Sequence, residues 1–273
     1  MSEAHQARRA SAPESALRTL IRSLSTKAAL SRECPFEPVL EVVLEHYRHA
    51  STRFSDTLEF SAQASAAHTS FARFSYAFPG FRDDMAGTER ALARMAEELG
   101  IGPAAAQVMR AARHPIVVQP LLGLAMDDAH TARPKLYLQF RPGGPAKKLA
   151  ASLLSVEESA LPEGELHLLG LDFTTGGTLR GAKLYLHTES APANMPPDLA
   201  KDALHIVRLE RPGSPLVFEA FDFALSSTRD WHALQQALPA FQRFSALEAE
   251  LGVRVRRASI GTGERTTLYY VLR

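Results

Sequence analysis

The stretch Gly170-Leu-Asp-Phe-Thr-Thr-Gly-Gly-Thr-Leu-Arg-Gly-Ala-Lys-Leu-Tyr-Leu-His187 predicts a β-hairpin. Residues 166–173 are rich in strand formers, the Gly176-Gly177 pair supplies the turn, and residues 183–187 form the returning strand. Successive side chains of a strand point to opposite faces. The two leucines of the returning strand therefore share one face, and the other face carries Lys183, Tyr185 and His187.

A near-identical pentamer, Lys135-Leu-Tyr-Leu-Gln139, lies 48 residues earlier and also follows a predicted turn. Its Lys135 and Tyr137 again share the face opposite the two leucines. Two such strands indicate a repeated structural unit. The alternative interpretation is a pair of ordinary amphipathic strands whose lysines and tyrosines are solvated.

The composition is that of an ordinary folded protein. The 273 residues suffice for one large domain or two small ones, and 45% of them are hydrophobic. A net charge of +1 gives no general case for nucleic-acid or membrane binding. The single cysteine, Cys34, excludes an internal disulfide. No apolar run is long enough to span a membrane and the N-terminus has no secretory signal, so we expect a cytoplasmic protein.

Five pairs of strands with turn residues between them are predicted, and helical segments separate the pairs. The strand pairs are 57–63 with 71–78, 116–126 with 135–140, 166–173 with 183–187, 205–210 with 216–223, and 253–260 with 266–272. The helices are predicted from Pro13 onward and at 37–53, 83–99, 103–113, 147–158, 198–203 and 227–251.

Consecutive hairpins give an antiparallel sheet, because parallel neighbours need crossover connections. About ten strands exceed a comfortable flat sheet, so the sequence predicts an α+β fold with a closed ten-stranded antiparallel barrel and helices outside. A barrel of this size has room for a ligand. With the leucines packed against the helices, these side chains would face the lumen: Glu59, Arg73, Lys135, Tyr137, Lys183, Tyr185, His187 and Tyr269. Several enclosed cations are costly without an anion, which indicates an anionic ligand.

This pattern resembles the ABBA aromatic prenyltransferases, in which an αββα unit repeats about five times around an antiparallel barrel. The hairpin that begins Gly170-Leu-Asp-Phe173 and returns through Lys183-Leu-Tyr-Leu186 looks most like the cyanobactin-type peptide prenyltransferases, which act in RiPP biosynthesis. The resemblance covers nearly the whole chain after residue 55. It implies a single prenyltransferase-like barrel domain at 13–273, and the polar residues before it predict a flexible N-terminus at 1–12.

The resemblance also implies a reaction, the transfer of an allylic group, usually dimethylallyl, from its diphosphate to a peptide or a small aromatic acceptor. It assigns Arg73, Lys135 and Lys183 to the diphosphate. Tyr137, Tyr185 and Tyr269 would shield the allyl cation, and His187 could contact either substrate. Glu59 would be the general base. Thr267 stands where the family pattern has a lysine, which leaves the last strand less basic.

Mg²⁺ is expected together with the diphosphate, which itself binds the ion. No residue is assigned as a metal ligand. The sequence has no Asp-Asp-x-x-Asp box, and Asp83-Asp84 and Asp127-Asp128 are interpreted as a helix cap and a turn.

A second class of function is a non-catalytic barrel that binds an anionic lipid or metabolite. In that case Glu59 would be an ordinary solvated strand residue. The basic group Arg254, Arg256 and Arg257 predicts a solvated strand end or a contact to an acidic peptide. Arg208 and Arg265 are predicted near the lumen, but the sequence does not fix the strand register that would turn them inward or outward. Phosphate-binding loops, zinc-hydrolase pairs and serine-hydrolase elbows are absent from the sequence.

Overall fold

The computed structural model describes residues 36–49, 58–64, 69–78, 80–126, 132–187, 203–211, 214–225, 227–237, 253–261 and 266–272. In the described residues the five strand pairs follow the predicted order, and helices lie before or between them except between residues 187 and 204. The helices are α1 (Phe36–His49), α2 (Met85–Glu98), α3 (Gly102–Ala112), α4 (Ala146–Leu154) and α5 (Thr228–Ala237), with a 3₁₀ turn at Glu158–Ala160. The strands are β1 (Leu58–Ala64), β2 (Thr69–Ala77), β3 (Val117–Met126), β4 (Ala132–Phe140), β5 (Glu165–Phe173), β6 (Leu179–His187), β7 (Leu204–Leu209), β8 (Leu216–Ala224), β9 (Val253–Gly261) and β10 (Thr266–Leu272).

All ten of these strands form one closed antiparallel barrel. Each strand pairs with its neighbours in the chain, and β1 closes the barrel against β10. The predicted fold class is therefore confirmed. Within each of the five hairpins, the end of the first strand and the start of the second lie at the same end of the barrel, which we call the turn end. The opposite ends of the strands lie at the other end of the barrel, which we call the helix end.

The outer face of the barrel is apolar and forms one core with the helices. In the two pentamers, the four leucines that flank the tyrosines are at most 2% exposed. They belong to the same hydrophobic cluster as side chains from the surrounding helices, among them Val39, Leu92, Val108, Leu154 and Trp231. Burial of each such side chain contributes roughly 1.5–3 kcal/mol. The requirement to bury these leucines turns the alternate side chains of the same strands inward.

Helix α2 begins as predicted, because the Asp84 side chain accepts a hydrogen bond of 2.8 Å from the Gly87 N–H. The prediction of a helix through Glu158 was wrong. Helix α4 ends at Leu154, and Ser155 adopts a left-handed conformation with φ of 55°. Its N–H closes the last turn, and the 3₁₀ turn follows separately.

Several predicted features lie outside the described residues. They are the flexible N-terminus at 1–12, the helix from Pro13, Cys34, Asp127-Asp128, Arg265, most of the short helix at 198–203 and the part of the helix at 227–251 that follows Ala237. The single-domain assignment of 13–273 therefore stays a prediction. None of the described helices is long and apolar enough to cross a membrane.

Candidate functional site

A layer of aromatic side chains crosses the middle of the lumen. Tyr137 and Tyr185 are 4% and 2% exposed and pack with Ile206 and Ala220. Tyr269 is buried close by, and Arg73 lies between the rings. The Arg73 guanidinium donates a hydrogen bond of 2.7 Å to the Tyr137 hydroxyl. Burial raises the pKa of Tyr137 to about 12, against the opposing effect of Arg73, so this phenol stays neutral at physiological pH.

The tyrosine faces in this layer already contact cations. The Arg73 guanidinium carbon lies 5.9 Å from the ring centroid of Tyr137 and 5.2 Å from that of Tyr269. The Arg257 guanidinium carbon lies 4.4 Å from the Tyr269 centroid. Both arginines are within the range of cation–π attraction. The centre of the barrel is therefore a site where aromatic rings stabilise positive charge.

Two glycines fix the position of the Tyr137 ring. Gly123 on β3 and Gly170 on β5 flank β4, and Gly170 is the direct register partner of Tyr137. A Cβ atom at Gly170 would lie 2.7 Å from the Tyr137 ring, and one at Gly123 would lie 2.9 Å from its opposite edge. The ring therefore fills the space that side chains on the two neighbouring strands would need.

We expect Gly170→Ala to destabilise the protein by about 1–3 kcal/mol, because the added methyl group must displace the Tyr137 ring in a packed lumen. Thermal unfolding followed by circular dichroism measures the loss. Gly102→Ala at the start of α3 is the matched control, since a Cβ there meets nothing within 4 Å. Equal melting temperatures for Gly170→Ala and the wild type would contradict the assigned ring position.

A cavity of about 440 Å³ opens at the turn end. Its charged lining includes the cations Arg133, Lys183 and Arg208 and the carboxylate of Asp172. Lys135 is only 9% exposed and lies beside this cavity, with its Nζ 3.8 Å from the carboxylate of the lining residue Asp172. Arg133 also pairs with Asp172, and Lys183 pairs with Glu219. The turn end is therefore a cationic chamber with internal acidic partners.

Burial and crowding weaken the charge of the two lysines. Burial, followed by repulsion from Lys183 and Arg73, lowers the pKa of Lys135 to about 7, against the opposing effect of Asp172. Burial also lowers the pKa of Lys183, although the ion pair with Glu219 opposes this shift. An anion entering the chamber would restore full charge on both lysines.

A second cavity, of about 450 Å³, reaches from the helix end down to Arg73, Tyr137 and Tyr185. Apolar side chains and two amides form much of its wall, among them Leu58, Leu121, Leu168, Leu225, Gln119 and Gln139. The amide of Gln119 donates a hydrogen bond of 2.9 Å to Gln139 across β3 and β4. This mixture of apolar and amide groups suits an aromatic molecule with a few polar substituents.

Glu59 lines this second cavity within a buried ionic network. The Arg257 guanidinium donates to both Glu59 oxygens, at 3.1 and 2.7 Å, and to Asp222 at 2.7 Å. Asp222 is 1% exposed and also accepts a hydrogen bond of 2.7 Å from Ser259. The carboxylate of Glu59 is thus oriented at the edge of the cavity by a bidentate contact.

The predicted site residues divide between the two cavities. Glu59, Arg73, Tyr137 and Tyr185 line one cavity, and Lys183 lines the other. His187 does not join them. It is exposed at the helix end, 5.2 Å from the ring of His167, and His167 is the histidine that lines the cavity. The prediction of Arg257 as a solvated strand end was wrong, because its guanidinium turns inward to Glu59 and Asp222.

Four further charged residues of the lumen were not predicted: Arg133, Asp172, Glu219 and Asp222. Alternation along the predicted strand 166–173 already places Asp172 on the face of Gly170, and it places Arg133 with Lys135 once β4 is extended to its true start at Ala132.

The barrel matches a solved structure over almost its full length. The match is the crystal structure of 5-dimethylallyltryptophan synthase from Streptomyces coelicolor, with a TM-score of 0.63 and 15% sequence identity. It covers 92% of this chain and 94% of that chain. The chain has the ABBA, or prenyltransferase-barrel, fold. No protein-family model and no curated protein sequence matches the chain.

Proposed function

We propose that this ABBA barrel transfers an allylic group, dimethylallyl from its diphosphate, to an aromatic acceptor, either a small compound or a peptide side chain. The observation that carries the proposal is the central layer, where tyrosine faces surround the guanidinium groups of Arg73 and Arg257. This layer separates a cationic chamber from a second cavity that holds a carboxylate. Such an order along the barrel axis suits an anionic leaving group, a carbocation and a nucleophile. The solved neighbour, a dimethylallyltryptophan synthase, carries the same fold.

In this proposal the diphosphate binds in the turn-end chamber to Lys135 and Lys183, and it contacts Arg73 of the central layer from that side. Charge-assisted hydrogen bonds to phosphate oxygens are stronger than those between neutral groups. The allylic C–O bond breaks and its electron pair leaves with the diphosphate. The cationic groups stabilise the negative charge that develops on the leaving group, which lowers the barrier to this step.

The allyl cation then lies against Tyr137, Tyr185 and Tyr269. Their π faces stabilise positive charge, and their buried rings exclude water that would otherwise capture the cation. The raised pKa of Tyr137 and Tyr185, caused first by burial, keeps their hydroxyl groups protonated and thus poorly nucleophilic.

The acceptor lies in the helix-end cavity and supplies the electron pair of the new bond to the allyl carbon. Glu59 receives the proton that the acceptor loses. Its bidentate partner Arg257 orients the carboxylate at the edge of the cavity. An aromatic ring that has gained an alkyl cation is a strong acid, so a weak base in the right position suffices.

Mg²⁺ fits the turn-end chamber as a partner of the diphosphate. In the described part of the chain, no group of three or more His, Cys, Asp or Glu residues could hold a metal ion. However, Asp172 Oδ1 and Glu219 Oε2 are buried and have no hydrogen-bond partner. Mg²⁺ commonly binds through one or two carboxylates and substrate phosphates. Asp172 would hold the ion together with the phosphates, and the ion would add positive charge beside the leaving group.

The test is to incubate the protein with dimethylallyl diphosphate, Mg²⁺ and a panel of indoles, phenols and aromatic peptides. We expect a prenylated product by mass spectrometry together with release of diphosphate. A Lys183→Met variant should lose this activity, and Lys148→Met, an exposed lysine on α4, should keep it. Binding of the diphosphate without any product across the panel would favour a non-catalytic anion-binding barrel.

A further inference from the structure

Glu219 enters the lumen because β8 contains a β-bulge. Ile206 on β7 pairs with Ala220, but the next residue, Val207, pairs with Phe218, so Glu219 is an extra residue without a partner on β7. Phe218 lies on the outer face, 4.7 Å from the ring of His205. A regular strand that kept Ala220 inward would turn Phe218 inward as well. The bulge therefore replaces an aromatic ring with a carboxylate in the lumen.

The Glu219 carboxylate is paired with Lys183, the lysine that we assign to the diphosphate. Its Oε1 forms an ion pair with Lys183 Nζ, while its Oε2 is buried without a hydrogen-bond partner. Burial alone would raise the pKa of Glu219, but Lys183, Arg208 and Lys135 together lower it. The carboxylate is therefore negatively charged at neutral pH and sits among the cations of the chamber.

We propose that Glu219 is an internal counter-anion that the diphosphate must displace from Lys183, and that it thereby selects for ligands of high negative charge. This inference rests on the proposed function. A ligand phosphate that reaches Lys183 also approaches the Glu219 carboxylate, and like charges at such distances repel strongly in a partly buried site. A diphosphate gains enough from Arg73, Lys135 and Lys183 to offset this repulsion. A monophosphate, with less charge and shorter reach, does not.

The ion pair of Glu219 and Lys183 also stabilises the charged form of the lysine when no ligand is bound. Without a ligand, Lys135 and Lys183 would repel each other and the neighbouring arginines, and both lysines would lose their protons more readily. Glu219 counters this for Lys183, and Asp172 does so for Lys135. The fold thus holds the lysines in place before the ligand arrives, at the expense of affinity for weakly charged anions.

Calorimetric titration of the unreactive thiolo analogues of dimethylallyl diphosphate and dimethylallyl monophosphate tests the proposal. EDTA is present throughout, so that a metal-binding role of Glu219 cannot contribute. We expect Glu219→Gln to bind the diphosphate analogue about tenfold more tightly than the wild type. The monophosphate analogue should gain more, so the preference for diphosphate should fall.

Glu210→Gln is the matched control, because Glu210 lines the same cavity and pairs with Arg208 at 3.9 Å but its side chain is 65% exposed. It should bind both analogues like the wild type. A second variant, Glu219→Ala, should tighten binding in the same direction, and circular dichroism checks that both variants fold. Unchanged or weaker diphosphate binding by folded Glu219 variants would overturn the inference and leave the proposed function standing. No binding by the wild type or any variant would remove both.

Discussion

Glu59→Gln is expected to slow prenyl transfer about 100-fold while leaving the affinity for dimethylallyl diphosphate unchanged. The amide cannot accept the acceptor proton, but it has almost the shape of the carboxylate. Arg257 would keep its contact with Asp222, so the network around the cavity should persist. Single-turnover rates on an acceptor found in the panel measure the chemical step, and calorimetry measures diphosphate binding.

Glu89→Gln is the control for this variant. Glu89 also forms a bidentate pair with an arginine, Arg113, but on the outer helices. Its removal should change neither rate nor affinity. Full turnover by Glu59→Gln would end the role of Glu59 as base and leave it as a partner that orients Arg257. Loss of diphosphate affinity instead would place Glu59 in the diphosphate site, contrary to the two-cavity arrangement.

Strand alternation was enough to predict the barrel and its inward face. The two pentamers put Lys135, Tyr137, Lys183 and Tyr185 on one side, and the need to bury their leucines under helices decided that this side is the lumen. His187 obeys the same alternation, yet it lies at the exposed end of β6. Alternation predicts the face of a residue but not its depth along the barrel axis.

The bulges limit what alternation can predict. On β9 the register with β10 shifts between Arg257 and Val255, so Arg256 is an extra residue and two successive arginines line one cavity. The basic group that the sequence predicts as a solvated strand end therefore includes Arg257, whose guanidinium binds Glu59 inside the barrel. Glu219 on β8 is likewise the extra residue of a bulge. A bulge depends on how two paired strands register with each other, and the pattern of a single strand contains no sign of it.

The acidic partners of the lumen cations follow from charge balance and not from strand alternation. Enclosed cations need counter-charges in the empty protein as well as in the ligand complex. Asp172 stands directly opposite Lys135 in the β4–β5 register. A search for carboxylates opposite the inward lysines would have found it, given the pairing of the strands.

Binding of the thiolo analogue of dimethylallyl diphosphate is expected to weaken about tenfold per pH unit as the pH rises above about 7. In the free protein Lys135 has its pKa lowered to about 7 by burial and by neighbouring cations. The bound diphosphate would raise this pKa. Below pH 7 the lysine is already protonated and binding takes up no proton. Above that pH, each binding event must protonate Lys135, so affinity falls until the pKa of the complex is reached.

Calorimetry in two buffers of different ionisation enthalpy measures this proton uptake directly at about pH 8. Lys135→Met should bind the analogue more weakly at neutral pH and with a flatter pH dependence, because the titrating group is gone. Lys148→Met, on the exposed face of α4, should retain the wild-type slope. Lys183 also has a lowered pKa, but Glu219 opposes the shift, so Lys135 should account for most of the slope. An unaltered slope in Lys135→Met would move the titrating group elsewhere and remove Lys135 from the diphosphate site, since a cation in contact with the bound anion must change its pKa on binding.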